Sequence, residues 1–220
     1  MDLDIILLLS LAALVAGFID AIAGGGGLIT LPALLIAGVA PTDAIATNKL
    51  QGTFGVATAS ASYYKSGLID LRVIATAVAA TAVGAAAGSM LVSNVDPGLL
   101  HRFMPFALGA AAPIGFYDGV FGPGAGSLYT LAFLAAAGCN LITATANAKL
   151  LNVTSNLTSL GVFLVSGHVN FAVGLPMALG QSLGAWVGAH TALKHGTRII
   201  RPLLVATTSA AAVKLLMGTA

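Results

Sequence analysis

The sequence predicts an all-α membrane protein: a polytopic bundle of transmembrane helices in two homologous repeats, each with a Gly/Pro-broken or re-entrant segment. Three observations predict it. Of the 220 residues, 58% are hydrophobic and 7% charged, whereas a soluble domain needs about 25% charged residues to cover its surface. Apolar runs of about 20 residues, the length that crosses a bilayer core, recur along the chain. The motifs of the first half return in the second at a nearly constant offset.

Expected spans are Leu3–Ala23, Ala44–Tyr64, Val73–Ser93, Leu99–Phe121, Thr143–Val165, Phe171–Leu193 and Pro202–Met217. Leu28–Val39 and Ser127–Ala137 are about half that length and read as re-entrant or interrupted helices. Gly24–Gly27, Pro32, Ala40-Pro41, Asp96-Pro97-Gly98 and Gly122-Pro123-Gly124 supply the breaks. Leu3–Ala16 followed by Ala21-Ile22-Ala23 has some likeness to a secretory leader. Asp2 and Asp4 stand where a leader is basic, so the segment reads as the first membrane helix.

Gly17-Phe18-Ile19-Asp20 before one glycine cluster matches Gly115-Phe116-Tyr117-Asp118 before the other. Ala46-Thr47-Asn48-Lys49-Leu50 matches Ala146-Asn147-Ala148-Lys149-Leu150, Ser66-Gly67 matches Ser166-Gly167, and Gly84 and Gly88 match Gly184 and Gly188. The chain divides accordingly into a first repeat (1–98), a central linker or helix (99–112), a second repeat (113–194) and a C-terminal transmembrane helix (195–220). Inverted halves would put Lys65, Arg72, Lys194, Arg198 and Arg201 on one face and Arg102 alone on the other. That asymmetry makes the basic face cytoplasmic, and inversion is the reading adopted. It requires an odd number of crossings per repeat, yet the junction has room for one helix. Either the short segments do not cross, or residues are missing near Ala110-Ala111-Ala112.

Net charge of +2 without a basic block gives no case for nucleic acid, and the single Cys139 excludes a disulfide framework within one chain. No metal-ligand spacing and no nucleophile–base pair is visible, so the sequence suggests neither a cofactor nor an enzyme. His168, His190 and Trp186 read as structural or interfacial, and the Asn-x-Thr matches at Asn152 and Asn156 fall inside a span.

Lys49 and Lys149 carry the chemistry. A lysine near a helix centre costs roughly 2.5–3.5 kcal/mol on insertion scales, and intramembrane ionisable residues are functional by default. The pair would face one cavity and bind an anion, with Asn48, Gln51, Asn147 and Asn152 as neutral hydrogen-bonding groups. Snorkelling to an interface is the competing account. Asp20 and Asp118 either couple transport to protons or, the preferred reading, fix the broken helix ends through backbone N–H groups. Gly24, Gly25, Gly26, Gly122 and Gly124 would line the substrate with bare backbone at half-helix N-termini. Gly84-x-x-x-Gly88 and Gly184-x-x-x-Gly188 are packing motifs.

Gly17-Phe18-Ile19-Asp20 with its glycine run, Ala46-Thr47-Asn48-Lys49-Leu50-Gln51-Gly52-Thr53-Phe54-Gly55, and Gly115 through Gly124 together resemble the TauE/SafE sulfite exporter family over nearly the whole chain. The resemblance implies a multi-pass inner-membrane permease of bacterial or archaeal type for sulfite, sulfonates or similar sulfur-containing anions. It also implies a longer central region than the short passage from Phe106 to Pro113, so the linker reads as abridged. The functional expectation is alternating-access transport of a small anion, with proton coupling open. The alternatives are an anion channel using the same lysines and, last, an intramembrane enzyme. The expected partners are the small anionic substrate and the lipid bilayer.

Overall fold

A computed structural model describes residues 1–94, 111–120 and 122–217. The described residues are helical, with α1 Leu3–Ala23, α2 Gly27–Ile36, α3 Pro41–Lys65, α4 Leu71–Asn94, α5 Ala111–Val120, α6 Ala125–Ala137, α7 Leu141–Val165, α8 Phe171–His195 and α9 Thr197–Met217. The break at Asp96-Pro97-Gly98, Arg102 and most of the expected linker lie outside the described residues. So does the first part of the expected Leu99–Phe121 span, whose later part is α5.

By length and composition, Leu3–Ala23, Ile74–Ser93 and Leu141–Val165 are apolar enough to cross a membrane. At 25, 25 and 21 residues, α3, α8 and α9 are as long. They are more polar: α3 carries Asn48, Lys49 and Gln51, α8 carries Gln181, and α9 begins on Arg198 and Arg201. The short helices are α2 and α6, at 10 and 13 residues. They follow glycines that hold the backbone at φ +84° and +93° (Gly24, Gly25) and +80° and +87° (Gly122, Gly124), values an L side chain rarely adopts.

The buried clusters sort the helices by direction. One joins Leu9 and Ala13 of α1 to Leu31 and Leu34 of α2, Ala44–Ala46 of α3, Val173 and Met177 of α8, and Phe163 near the end of α7. This is end A of the bundle, where α1, α3 and α8 begin. At the other end, B, Ala21–Ala23, Tyr63 and Ile69 pack with Ala185, Ala189, Ile200 and the first residues of α7. Thus α1, α3 and α8 run from A to B and α7 from B to A. The short 66–70 loop turns α4 back towards A, and Val92 near its C-terminus joins the end A cluster.

Two glycine seams set the closest approaches, and they repeat each other. Along α1 and α8, a Cβ on Gly180, Gly184 or Gly188 would strike the carbonyls of Ser10, Leu14 and Phe18, and one on Gly17 would strike that of Gln181. Along α4 and α5, Gly88 meets Phe116, Gly115 meets Thr81 and Gly119 meets Ala85 in the same way. Residue numbers rise together along each seam, so both helix pairs are parallel. Small residues in such motifs let backbones meet where lipid gives no hydrophobic push. Gly184→Ala is therefore expected to destabilise by about 1–3 kcal/mol through overpacking. Gly161→Ala, in the last turns of α7 with nothing within 4 Å of the new Cβ, is expected to stabilise by up to about 0.5–1 kcal/mol. Unfolding midpoints in detergent check both.

Candidate functional site

The two broken segments cross near the middle of the bundle. A Cβ on Gly24 would press on Gly126 and the N–H of Ser127, and one on Gly27 would lie 3.2 Å from Pro123. Ser127 Oγ donates to the Ala23 carbonyl at 2.9 Å and lies 3.0 Å from Thr207 Oγ1, which ties α9 over the crossing. The N-termini of α2 and α6 therefore come together. Each brings the positive end of its dipole and N–H groups without intrahelical acceptors. Those of Gly27 and Gly126 make no hydrogen bond among the described residues.

Beside the crossing is a polar cavity of about 350 Å³ including its mouth. Gly25, Gly27, Gly122, Gly124 and Gly126 line it from the broken segments, Asn48, Gln51, Gly52 and Val56 from α3, and Asn152 and Asn156 from α7. Gln181 of α8 and the carboxylates Asp20 and Asp118 complete the wall. Asn48 Oδ1 accepts from Thr30 Oγ1 at 2.6 Å and from Gln51 Nε2 at 2.8 Å, which turns its amide nitrogen towards Gly27. Asn152 Oδ1 accepts from Asn156 Nδ2 at 2.9 Å, which turns its own nitrogen towards Gly126. Each half thus supplies a half-helix N-terminus and an oriented asparagine donor to one space.

The lysines sit behind this wall and do not line it. Both are fully buried, and each pairs with the aspartate of the other repeat. Lys49 Nζ donates to Asp118 Oδ1 at 2.6 Å. Lys149 Nζ donates to the backbone carbonyl of Asp20 and stands 3.8 Å from Asp20 Oδ2. Asp20 Oδ1 also accepts from the N–H of Gly26 at 3.0 Å, the turn-fixing role expected from the sequence. Asp118 Oδ2 is buried with no hydrogen-bond partner among the described residues. The two half-sites are related but unequal: one ion pair is closed, the other loosened.

Of the residues the sequence singled out, Asn48, Gln51, Asn152, Gly25, Gly122, Gly124, Asp20 and Asp118 come together on the cavity. Gly24 is taken up by the crossing itself and Gly26 by its bond to Asp20. Asn147 is half-buried and off the cavity wall. It occupies the position of Thr47, about 100° round the helix from the position of Asn48, so its side chain leaves by another face. Sequence reasoning missed Gln181 and Asn156 as cavity residues, whereas Gly27 and Gly126 belong to the glycine clusters it read as substrate-lining. Gln181 and Asn156 are polar residues inside apolar spans, a signal applied to the lysines and their near neighbours but not to neutral residues further away.

The sequence description "Sulfite exporter TauE/SafE" matches residues 9–114 and 101–215. A protein of Sinorhizobium sp. named "Probable membrane transporter protein ORF9" is 44% identical over 237 positions, covering 94% of this chain and 91% of the relative. "Probable membrane transporter protein YfcA" of Escherichia coli K12 is 41% identical, covering 93% and 87%. A "Probable membrane transporter protein" of Haemophilus influenzae is 38% identical, covering 92% and 91%. The first alignment is longer than this chain, so that relative carries residues without a counterpart here. No solved structure gives a significant match. The chain belongs to the TauE/SafE family and is a membrane transporter.

Proposed function

We propose that the protein is a proton-coupled permease that moves a small sulfur-containing oxyanion, such as sulfite or a sulfonate, across the inner membrane by alternating access. The observation that carries this reading is the convergence of two half-helix N-termini on a cavity backed by two buried lysines that exchange partners between the halves. Helix N-termini with oriented amide donors suit an oxyanion. The lysines supply the charge, and in a low dielectric each needs a counter-charge at all times.

That requirement links anion to proton. With Asp20 and Asp118 ionised, the four charges cancel and an arriving anion meets two carboxylates. A proton taken up by a carboxylate releases its lysine, and the oxyanion replaces the carboxylate as counter-ion. Each exchanged ion pair therefore takes up one proton per negative charge bound, and release reverses both.

Inverted repeats fit the same reading. The counterparts α3 and α7 run in opposite directions, as do α4 and α8, and α5, parallel to α4, opposes α1. Halves of this kind can exchange conformations and so move the opening from one side to the other. The unequal ion pairs, at 2.6 and 3.8 Å, are what one of two such states would present. End B carries Lys65, Lys194, Arg198 and Arg201 while end A carries Asp2, Asp4 and Asp43, which supports a cytoplasmic end B.

Sulfite flux into vesicles containing the purified protein tests the reading. Wild type is expected to carry sulfite above the rate of protein-free vesicles. Lys49→Ala and Lys149→Ala are each expected to lose about 30-fold or more, the size of a buried charge partner removed (2–5 kcal/mol). Normal sulfite flux in both variants would reject the lysine mechanism.

A further inference from the structure

The cavity has two chemically different walls. Its donors are the half-helix N-termini and the amide nitrogens of Asn48 and Asn152. Two glutamines also line this space, and among the described residues neither Gln51 Oε1 nor Gln181 Oε1, both buried, has a hydrogen-bond partner. The orientation of Gln51 is fixed, because its nitrogen is committed to Asn48. Gln181 is held by packing instead. A Cβ on Gly55 would strike its Cγ, and one on Gly17 would strike its backbone carbonyl, so glycines on α3 and α1 both clear space for this one residue.

The other half of the pseudo-symmetric site lacks this arrangement. At the position equivalent to Gln181 stands Thr81, against Gly115, and at the position equivalent to Gly55 stands Ser155. Neither Thr81 nor Ser155 lines the cavity. The donor set is therefore doubled by the repeat, while Gln181 is single and gives the cavity a direction.

An unsatisfied buried acceptor is costly, and the two residues that carry these acceptors line a polar space whose occupant can satisfy them. We propose that Gln181, with Gln51, is a specificity-determining pair that selects oxyanions which also carry a hydrogen-bond donor. The oxyanion oxygens lie on the helix N-termini and asparagine nitrogens, and a hydroxyl on the same molecule donates to the glutamine oxygens. This rests on the anion-transport reading above and adds a requirement that the reading does not contain. A site built to bond a substrate hydroxyl discriminates strongly against an analogue without it, because its own polar groups are then left unpaired.

The test compares isethionate with propanesulfonate, near-isosteric sulfonates that differ by a terminal hydroxyl in place of a methyl group. Binding of each to the purified full chain in detergent is measured by calorimetry for wild type, Gln181→Met and Gln51→Met, with sulfite flux by wild type in vesicles as the reference. Wild type is expected to prefer isethionate by at least about tenfold, and either methionine variant to bring the two affinities within about threefold. Because the readout is a ratio within one preparation, partial loss of folded protein cancels. Conservative Gln181→Asn, should Gln181→Met not fold, is expected to keep an acceptor and some preference while shifting its size. Sulfite flux without an isethionate preference, or a preference unchanged in both glutamine variants, overturns this inference alone. Absence of sulfite flux in wild type removes the transport reading and this inference with it.

Discussion

Replacing Lys49 by methionine is expected to destabilise the protein by about 3–5 kcal/mol and to abolish transport. It leaves the Asp118 carboxylate buried, with one oxygen unpartnered among the described residues and the other losing its 2.6 Å bond; breaking a buried pair from one side costs that much. Adding Asp118→Asn is expected to recover most of the stability and none of the transport, because removing both charges leaves no unpaired ion but also no site for the anion. Adding Asp20→Asn to Lys49→Met instead is expected to recover nothing, since Asp20 belongs to Lys149. This pattern of rescue, read from unfolding midpoints in detergent, separates the exchanged partnership from a general loss of charge. Rescue by Asp20→Asn would place the pairing within the first repeat and contradict the site described above.

The second large effect is on proton dependence. If an anion can displace a carboxylate only after that carboxylate takes up a proton, acid on the loading side drives binding and alkali on the releasing side drives release. Sulfite flux by wild type is thus expected to rise as the loading side is acidified. Asp118→Asn keeps a neutral side chain of the same shape beside Lys49 at every pH, and Asp20→Asn does so beside Lys149. In each variant the acid stimulation is expected to fall by half or more, and in the double variant to vanish. Any effect of pH on sulfite itself is common to all proteins and cancels in the comparison. The structural role of Asp20, which holds the N–H of Gly26, predicts some loss of folded protein in Asp20→Asn. Asp118→Asn leaves Lys49 buried without its partner and is expected to lose about 3–5 kcal/mol of stability as well, so acid stimulation is read in every variant as a ratio between two pH values within one preparation.

Much of the architecture was legible because it rests on local chemistry. Gly24–Gly27 and Gly122–Gly124 break the chain wherever they stand, and the half-helices expected at Leu28–Val39 and Ser127–Ala137 are found at Gly27–Ile36 and Ala125–Ala137. The packing glycines were legible for the same reason: Gly88, Gly184 and Gly188 each sit on a neighbouring carbonyl. The partnerships were not legible. Repeat alignment ties Lys49 to Lys149 and Asp20 to Asp118, whereas the structure joins Lys49 to Asp118 across 69 residues and Lys149 to Asp20 across 129. Nothing in spacing distinguishes a lysine that faces a cavity from one that faces a carboxylate behind it. Asn147 shows a smaller version of the same limit. It lies two residues from Lys149, yet in the repeat it takes the position of Thr47 while Ala148 stands where Asn48 does, and so it is turned away from the cavity.

The exchange of carboxylate for substrate on a buried lysine is tested most directly by concentrative uptake. Vesicles carrying wild-type protein, alkaline inside and acidic outside, are supplied with sulfite, and accumulation is measured against protein-free vesicles under the same gradient. Wild type is expected to raise internal sulfite beyond the protein-free level and to lose that excess when a protonophore collapses the gradient, while the Asp20→Asn/Asp118→Asn variant equilibrates sulfite without concentrating it. Excess accumulation by that double variant equal to wild type, or passive equilibration by wild type under the intact gradient, would contradict the account.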